Sequence, residues 1–209
     1  MTASTTDIAG PGLTPELIAR VHAVADRAER DGVAVLLLDG TTAAGATPVD
    51  TSLINKWERT LRRLERLRAT TVAVARGTCW GVGLEMLLAT DYRIGTPDLR
   101  FLLSTGAGPG PAWPGMGLYR LANQLGVSRV RRAMQFGTPV DAATAVSWSL
   151  LDEVADDWDA ARAAAAAIRP DADAAVRRQL LLEATTTTFE DALGRHLAAC
   201  DRQLRREPA

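Results

Sequence analysis

The residues best suited to chemistry stand together at Gly81-Val82-Gly83-Leu84-Glu85, directly after a short run of β-branched and small residues. Two glycines at a strand-to-helix turn let the chain bring backbone N–H groups close to a ligand, and the helix end adds positive potential there. A carbonyl or enolate oxygen can be held at such a turn. Glu85 then falls in the first helical turn, within reach of whatever binds, and its carboxyl can transfer protons to or from it. Taken alone, the same residues equally describe a tight turn beside an exposed acid.

No other residue type makes as good a case. His22 falls in the middle of an amphipathic helix and His196 in another, with no Cys, Asp or Glu at ligand spacing, so both read as structural or exposed and no metal site is expected. Cys79 has no histidine near it in sequence and reads as a small packed side chain rather than a nucleophile. With two cysteines only, Cys79 and Cys200, a disulfide scaffold and a zinc finger are excluded. No G-x-S-x-G elbow, phosphate-binding Walker loop or G-x-G-x-x-G fingerprint occurs.

The chain has 209 residues, 47% apolar and 23% charged. Such a length buries about 70% of the surface its unfolded form exposes, enough to support one domain without a staple. Lys and Arg number 24 against 25 for Asp and Glu, which leaves no field for gripping a phosphate backbone, so nucleic acid is not an expected partner. The opening MTASTTDIAG has neither a basic start nor an apolar segment, and Val33 to Leu38 is the longest early apolar run. No signal peptide or membrane span is expected, which points to the cytoplasm.

The elements that must position Glu85 are legible around it. Thr14-Pro15-Glu16 is a helix start, with a hydroxyl cap, a proline whose missing N–H is harmless in the first turn, and an acid at the positive end. That helix runs to about Arg30, ends at Asp31-Gly32, and leads into VAVLLL, a buried strand by length and branching. DGTTAAGATP, from Asp39 to Pro48, reads as a loop. A long helix follows from about Val49 to Arg68, with Leu53, Ile54, Trp57, Leu61, Leu64 and Leu67 on one face. Its charged residues Arg59, Arg62, Arg63 and Glu65 lie mostly elsewhere on the wheel, and the arginines read as a solvated face or as a phosphate or partner contact.

Residues 71–76 form a second strand before the glycine turn, and helix then follows from Leu84 to Ala89. Short strands are expected at Asp91 to Ile94 and Leu99 to Leu103. The stretch from Ser104 to Gly117 is rich in glycine and proline and long for a casual connection, the mark of a functional loop. Helices follow from Leu118 to Gln124, from Ser128 to Phe136 with a serine cap, and from Asp141 to Ser149 with an aspartate cap. Leu151 to Val154 is extended. Two or three helices close the chain, the last from Phe189 to Leu204 with Phe189, Leu193, Leu197, Cys200 and Leu204 on one face. This order predicts an α/β core with a helical tail and no second domain.

Five segments in order, VAVLLLDG, AAGAT, TVAVARGTCWGVGLEMLLATDYRI, RFLLSTGAGPGPAWPGMGLYRLANQLG and TPVDAATAVSWSLLDEV, resemble the enoyl-CoA hydratase/isomerase (crotonase) family. The match spans about residues 33 to 155. It implies a crotonase-like (ClpP/crotonase) ββα-superhelix core for about residues 14 to 155, shortened at its N-terminus. A C-terminal helical trimerisation region is implied for about 156 to 209. It also implies an oxyanion hole built from the backbone N–H groups of Val82 and Ala46, with Glu85 as the first catalytic glutamate. Gly81, Gly83, Ser104, Thr105 and Trp113 would line the substrate.

The chain departs from the family pattern in three places. It opens with a helix instead of a β-hairpin. Thr42 and Thr47 flank the first-loop motif, where the family has a phenylalanine-containing stretch and an aspartate. Thr105 stands where the family's second glutamate belongs, so the resemblance implies a single-glutamate site. Loss of a general base removes a factor of about 100 to 10,000, which a substrate with an already acidic α-proton offsets. Dehydration of a β-hydroxy or polyketo thioester is therefore expected in place of fatty-acid hydration. Ser104 and Thr105 are open to a catalytic or a lining role.

A narrower resemblance points the same way. LTPELIARVHAVADRAERDG, NKWERTLRRLERLRATTVAVA, LLATDYRI and WPGMGLYRLANQLGVSRVRRAMQFGTPVDA are similar to the small crotonase-like proteins of 3,5-dihydroxyphenylacetyl-CoA formation, on the route to dihydroxyphenylglycine in glycopeptide antibiotics. The resemblance implies an acyl-CoA thioester substrate, with no cofactor beyond the coenzyme A it carries. Implied partners are a type III polyketide synthase, other crotonase-like pathway enzymes, and copies of the chain itself in a homotrimer or hexamer. Two alternatives remain: a non-catalytic partner that stimulates the synthase, and a general enoyl-CoA hydratase/isomerase.

Overall fold

The computed structural model describes residues 4–7, 12–40, 49–103, 115–169 and 173–205. Among them, β1 (Ser4–Asp7), β2 (Val33–Gly40), β3 (Thr70–Cys79), β4 (Tyr92–Gly95) and β7 (Glu153–Val154) lie side by side in that order, all parallel. β5 (Arg100–Phe101) pairs in parallel with Thr78 and Cys79 at the end of β3, and antiparallel with β6 (Val140–Asp141). Nine helices connect and follow them among the described residues: α1 (Pro15–Asp31), α2 (Thr51–Glu65), α3 (Gly81–Leu88), α4 (Gly117–Leu125), α5 (Val127–Phe136), α6 (Ala142–Ser147), α7 (Trp158–Ala167), α8 (Ala174–Ala184) and α9 (Phe189–Leu204).

The continuous apolar run of β2 follows from burial on both faces. Ala34, Leu36 and Leu38 point into the larger core, with Ala73 and Ala75 of β3, Leu17, Val21 and Val24 of α1, and Trp57, Leu61 and Leu64 of α2. Val33, Val35 and Leu37 point the other way, with Val72, Val74 and Ile94, and are covered by Ala161 and Ala165 of α7. The sheet is thus a layer between helices, and the ends of β2 and β3 are held in register from Val33↔Thr70 to Gly40↔Gly77. A Cβ on Gly40 would run into the backbone of Thr78, so glycine is needed for this close approach.

Most element boundaries agree with the sequence reading. Thr14 caps α1 through its hydroxyl, Gly32 ends it with a left-handed backbone (φ 81°), and Asp141 caps α6. Three differences have physical causes. The chain opens with a strand rather than a helix: β1 is an edge strand, with no apolar run to betray it. Ser128 is not the cap of α5, because that helix starts at Val127 and Gly126 (φ 84°) alone joins it to α4. β3 extends to Cys79, three residues past the expected end, with Gly77 at φ 68°.

Candidate active site

The site is assembled at the carboxyl ends of β2 and β3, where ligands of parallel sheets bind. Trp80 is the N-cap of α3, and Gly81 takes a left-handed backbone (φ 52°) that favours glycine. The glycines belong to the helix itself, so Glu85 lies one turn further in than the sequence suggests. The N–H groups of Gly83 and Leu84 return to the Trp80 carbonyl at 3.1 and 3.4 Å. The Val82 N–H has no acceptor among the described residues. Helical side chains lean toward the N-terminus, so the Glu85 side chain, three residues on, leans over the turn that presents this N–H.

Glu85 is 3% exposed. Its Oε2 accepts the indole N–H of Trp57 at 2.6 Å, and its Oε1 accepts the N–H of Gly117, the first residue of α4, at 3.2 Å. Trp57 is itself fully buried on the apolar face of α2, one and two turns from Leu61 and Leu64, so the same packing that seats the ring aims its N–H. A Cβ on Gly115 would lie 2.8 Å from both Glu85 oxygens, and one on Gly117 would lie 3.3 Å from Oε1. Glycine at these positions lets the chain close over the carboxyl. At the far end of α3, the Leu88 carbonyl accepts from Arg93 at 3.1 Å and from Gln124 of α4 at 2.9 Å, which fixes α3 against α4 at both ends.

Burial pushes the Glu85 carboxyl up to about 7; the Trp57 bond pulls against this, and the charge of Glu58 adds to it. The folded protein therefore binds this proton more tightly than the unfolded chain does. The resulting stabilisation is complete below the ordinary carboxyl value of 4.5 and is lost as pH rises through about 7. In Glu85→Gln that dependence disappears. The difference in unfolding free energy between wild type and E85Q is expected to change by about 3 kcal/mol from about pH 4 to about pH 8, wild type losing as pH rises. Urea unfolding across this range measures it, and a constant difference would remove the buried-acid assignment.

The structure brings Gly81, Val82, Gly83 and Glu85 together on α3. Ala46, Ser104, Thr105 and Trp113 lie outside the described residues. Cys79 is buried and its thiol is pushed up to about 12 by burial, consistent with a packed side chain. His22 bonds to Thr60 and Arg63, away from Glu85, and no group of His, Cys, Asp and Glu able to hold a metal occurs among the described residues.

The sequence reading missed Glu58 and Arg120. Glu58 follows Trp57 on α2 and accepts the N–H of Met116 at 2.5 Å. Arg120 of α4 is 5% exposed and pairs with Glu58 at 2.9 Å and with Glu65 at 2.6 Å. Glu65, which the helical wheel puts mostly off the apolar face, is buried. No spacing signal marks this cluster, because Arg120 arrives more than fifty residues later in the chain.

Comparison with known proteins agrees with the geometry. The family model described as enoyl-CoA hydratase/isomerase matches residues 38–207. A protein of Amycolatopsis orientalis named enoyl-CoA-hydratase is 46% identical over 202 residues, covering 93% of this chain and 92% of its own length. The structure of Pseudomonas aeruginosa DspI superposes with a TM-score of 0.79 at 19% identity, over 97% of this chain and 92% of that one. An enoyl-CoA hydratase described as putative from Thermobifida fusca YX, in complex with acetoacetyl-CoA, superposes with a TM-score of 0.74 at 20% identity, over 94% and 87%. The fold is crotonase-like, and the chain belongs to the enoyl-CoA hydratase/isomerase family, with function of the hydratase/isomerase type.

Proposed function

We propose that the protein is a dehydratase of β-hydroxy or polyketo CoA thioesters, working beside a type III polyketide synthase in 3,5-dihydroxyphenylacetyl-CoA formation. The observation that carries this reading is the buried Glu85 carboxyl, able to hold a proton near neutral pH, beside the Val82 N–H, which has no acceptor among the described residues. The thioester oxygen accepts from Val82, and from Ala46 by resemblance to the family. The α-proton, already acidic between two carbonyls, is lost to solvent as the enolate forms. Glu85 then gives its proton to the departing β-hydroxyl, the Cβ–O bond breaks, water leaves, and the carboxylate takes a proton back from solvent.

Binding of acetoacetyl-CoA, a β-keto thioester, by the Thermobifida fusca neighbour supports this substrate class. A purely accessory role is less well supported, because the arginines offered for docking are engaged: Arg62 pairs with Glu65, and Arg63 with Asp26 and Glu29. The assembly belonging to this reading is a homotrimer or hexamer, for which Leu181, Phe189, Leu197 and Leu204 on α8 and α9 offer exposed apolar surface.

The test uses the purified protein without any synthase. A synthetic β-hydroxy-β'-keto thioester is expected to dehydrate at least about 100-fold faster than without protein, and faster than crotonyl-CoA is hydrated. Faster turnover of crotonyl-CoA supports a general hydratase instead, and no turnover of either without the synthase supports the accessory role.

A further inference from the structure

The opening residues of α4 hold two carboxylates, not one. The Met116 N–H goes to Glu58 at 2.5 Å, and the next N–H, of Gly117, goes to Glu85 at 3.2 Å. Glu58 Oε1 lies even nearer than the Glu85 oxygens to the point a Gly115 Cβ would occupy, so the two acids face each other across that glycine. Glu58 Oε2 is paired with Arg120, whose Nε serves Glu65, and Glu65 takes Arg62 as well. Two arginines thus balance Glu58 and Glu65. No cation among the described residues forms an ion pair with Glu85.

We infer that Glu58 is a positioning residue for the reaction: clamped by Arg120 and the Met116 N–H, its carboxylate is fixed opposite Glu85, where its negative charge favours the protonated form of Glu85. The inference rests on the dehydratase reading for its consequence, but not for its geometry. A carboxylate beside a carboxyl disfavours ionisation of the latter, and the bond to Arg120 fixes Glu58 where it has that effect on Glu85. Among the described residues, Trp57 and Glu58 from α2, with Gly117 and Arg120 from α4, are the polar groups that act on Glu85; of these Glu58 is the one that adds negative charge, and Arg120 offsets part of it. Glu58 is also the more open of the two, its side chain 17% exposed.

The experiment is a carboxyl 13C NMR titration of protein labelled at glutamate, with the Glu85 signal assigned from E85Q. In wild type, Glu85 is expected to ionise near neutrality. In Glu58→Gln the Glu85 midpoint falls toward the ordinary carboxyl range, and in Glu58→Asp, which keeps the charge, it stays raised. The alkaline limb of the dehydration profile follows it down, so turnover above the new midpoint drops about tenfold for each pH unit of displacement. A Glu85 midpoint identical in wild type and E58Q overturns the inference. Should E58Q not fold, wild type and E58D decide: an ordinary Glu85 midpoint in either overturns it, and a midpoint near neutrality in both upholds it. Because the NMR readout needs no substrate, a failed dehydratase reading, seen as full turnover by E85Q, is distinguishable from a failed role for Glu58.

Discussion

Glu85→Gln is expected to lower turnover of the β-hydroxy thioester by about 100- to 10,000-fold while leaving thioester binding nearly unchanged. Gln keeps the length and shape of the side chain but has no proton to give at neutral pH. The Val82 N–H stays where it is, since it depends on the Gly81 backbone and the Trp80 cap rather than on the side chain three residues later. The loss should therefore appear in kcat with KM retained. One complication is foreseeable. The Trp57 indole and the Gly117 amide both donate to carboxyl oxygens, and an amide side chain offers only one oxygen, so one donor is left facing an NH2 group. That mismatch costs about 1–3 kcal/mol of stability. Circular dichroism and a thermal melt establish that the variant is folded before rates are compared. A folded E85Q with wild-type kcat would leave Glu85 without a catalytic role.

The acid and its helix were legible because the signal was local. Gly81 and Gly83 announce a turn, and Glu85 follows at fixed spacing on the same helix. Caps such as Thr14 and Asp141 were legible for the same reason, since each bonds to an N–H three residues away. The Trp57 bond was half legible: the apolar period of α2 placed the ring in the core, but nothing in the sequence says that its N–H meets a carboxyl 28 residues later. Glu58 and Glu65 were illegible. On a helical wheel they look like part of a solvated face, and only the arrival of α4 with Arg120 buries them. β1 escaped because an edge strand needs only one neighbour, and Ser4–Asp7 forms by backbone pairing with residues 34–37 of β2 rather than by apolar patterning.

Arg120→Met is expected to destabilise the protein by about 3–5 kcal/mol, the largest loss of stability foreseen for any single change near the site. Burial alone would pull the Arg120 guanidinium down, but Glu58 and Glu65 hold it above its ordinary value, so it is charged at every pH of interest. Methionine fills much of the same volume but leaves Glu65 with the half-exposed Arg62 and Glu58 with the Met116 N–H alone. Two carboxylates then remain without their shared guanidinium, Glu58 opposite Glu85 and Glu65 buried on α2, and the desolvation each bears is less well offset. For a chain of this size the loss corresponds to a fall in Tm of about 10 °C, read by calorimetry or urea unfolding. Combining Arg120→Met with Glu65→Gln should recover part of the loss, because a neutral amide replaces a buried carboxylate left with only the half-exposed Arg62. Additive losses in the double variant would mean that Arg120 acts by packing alone and that the ion-pair cluster does not hold α2 to α4.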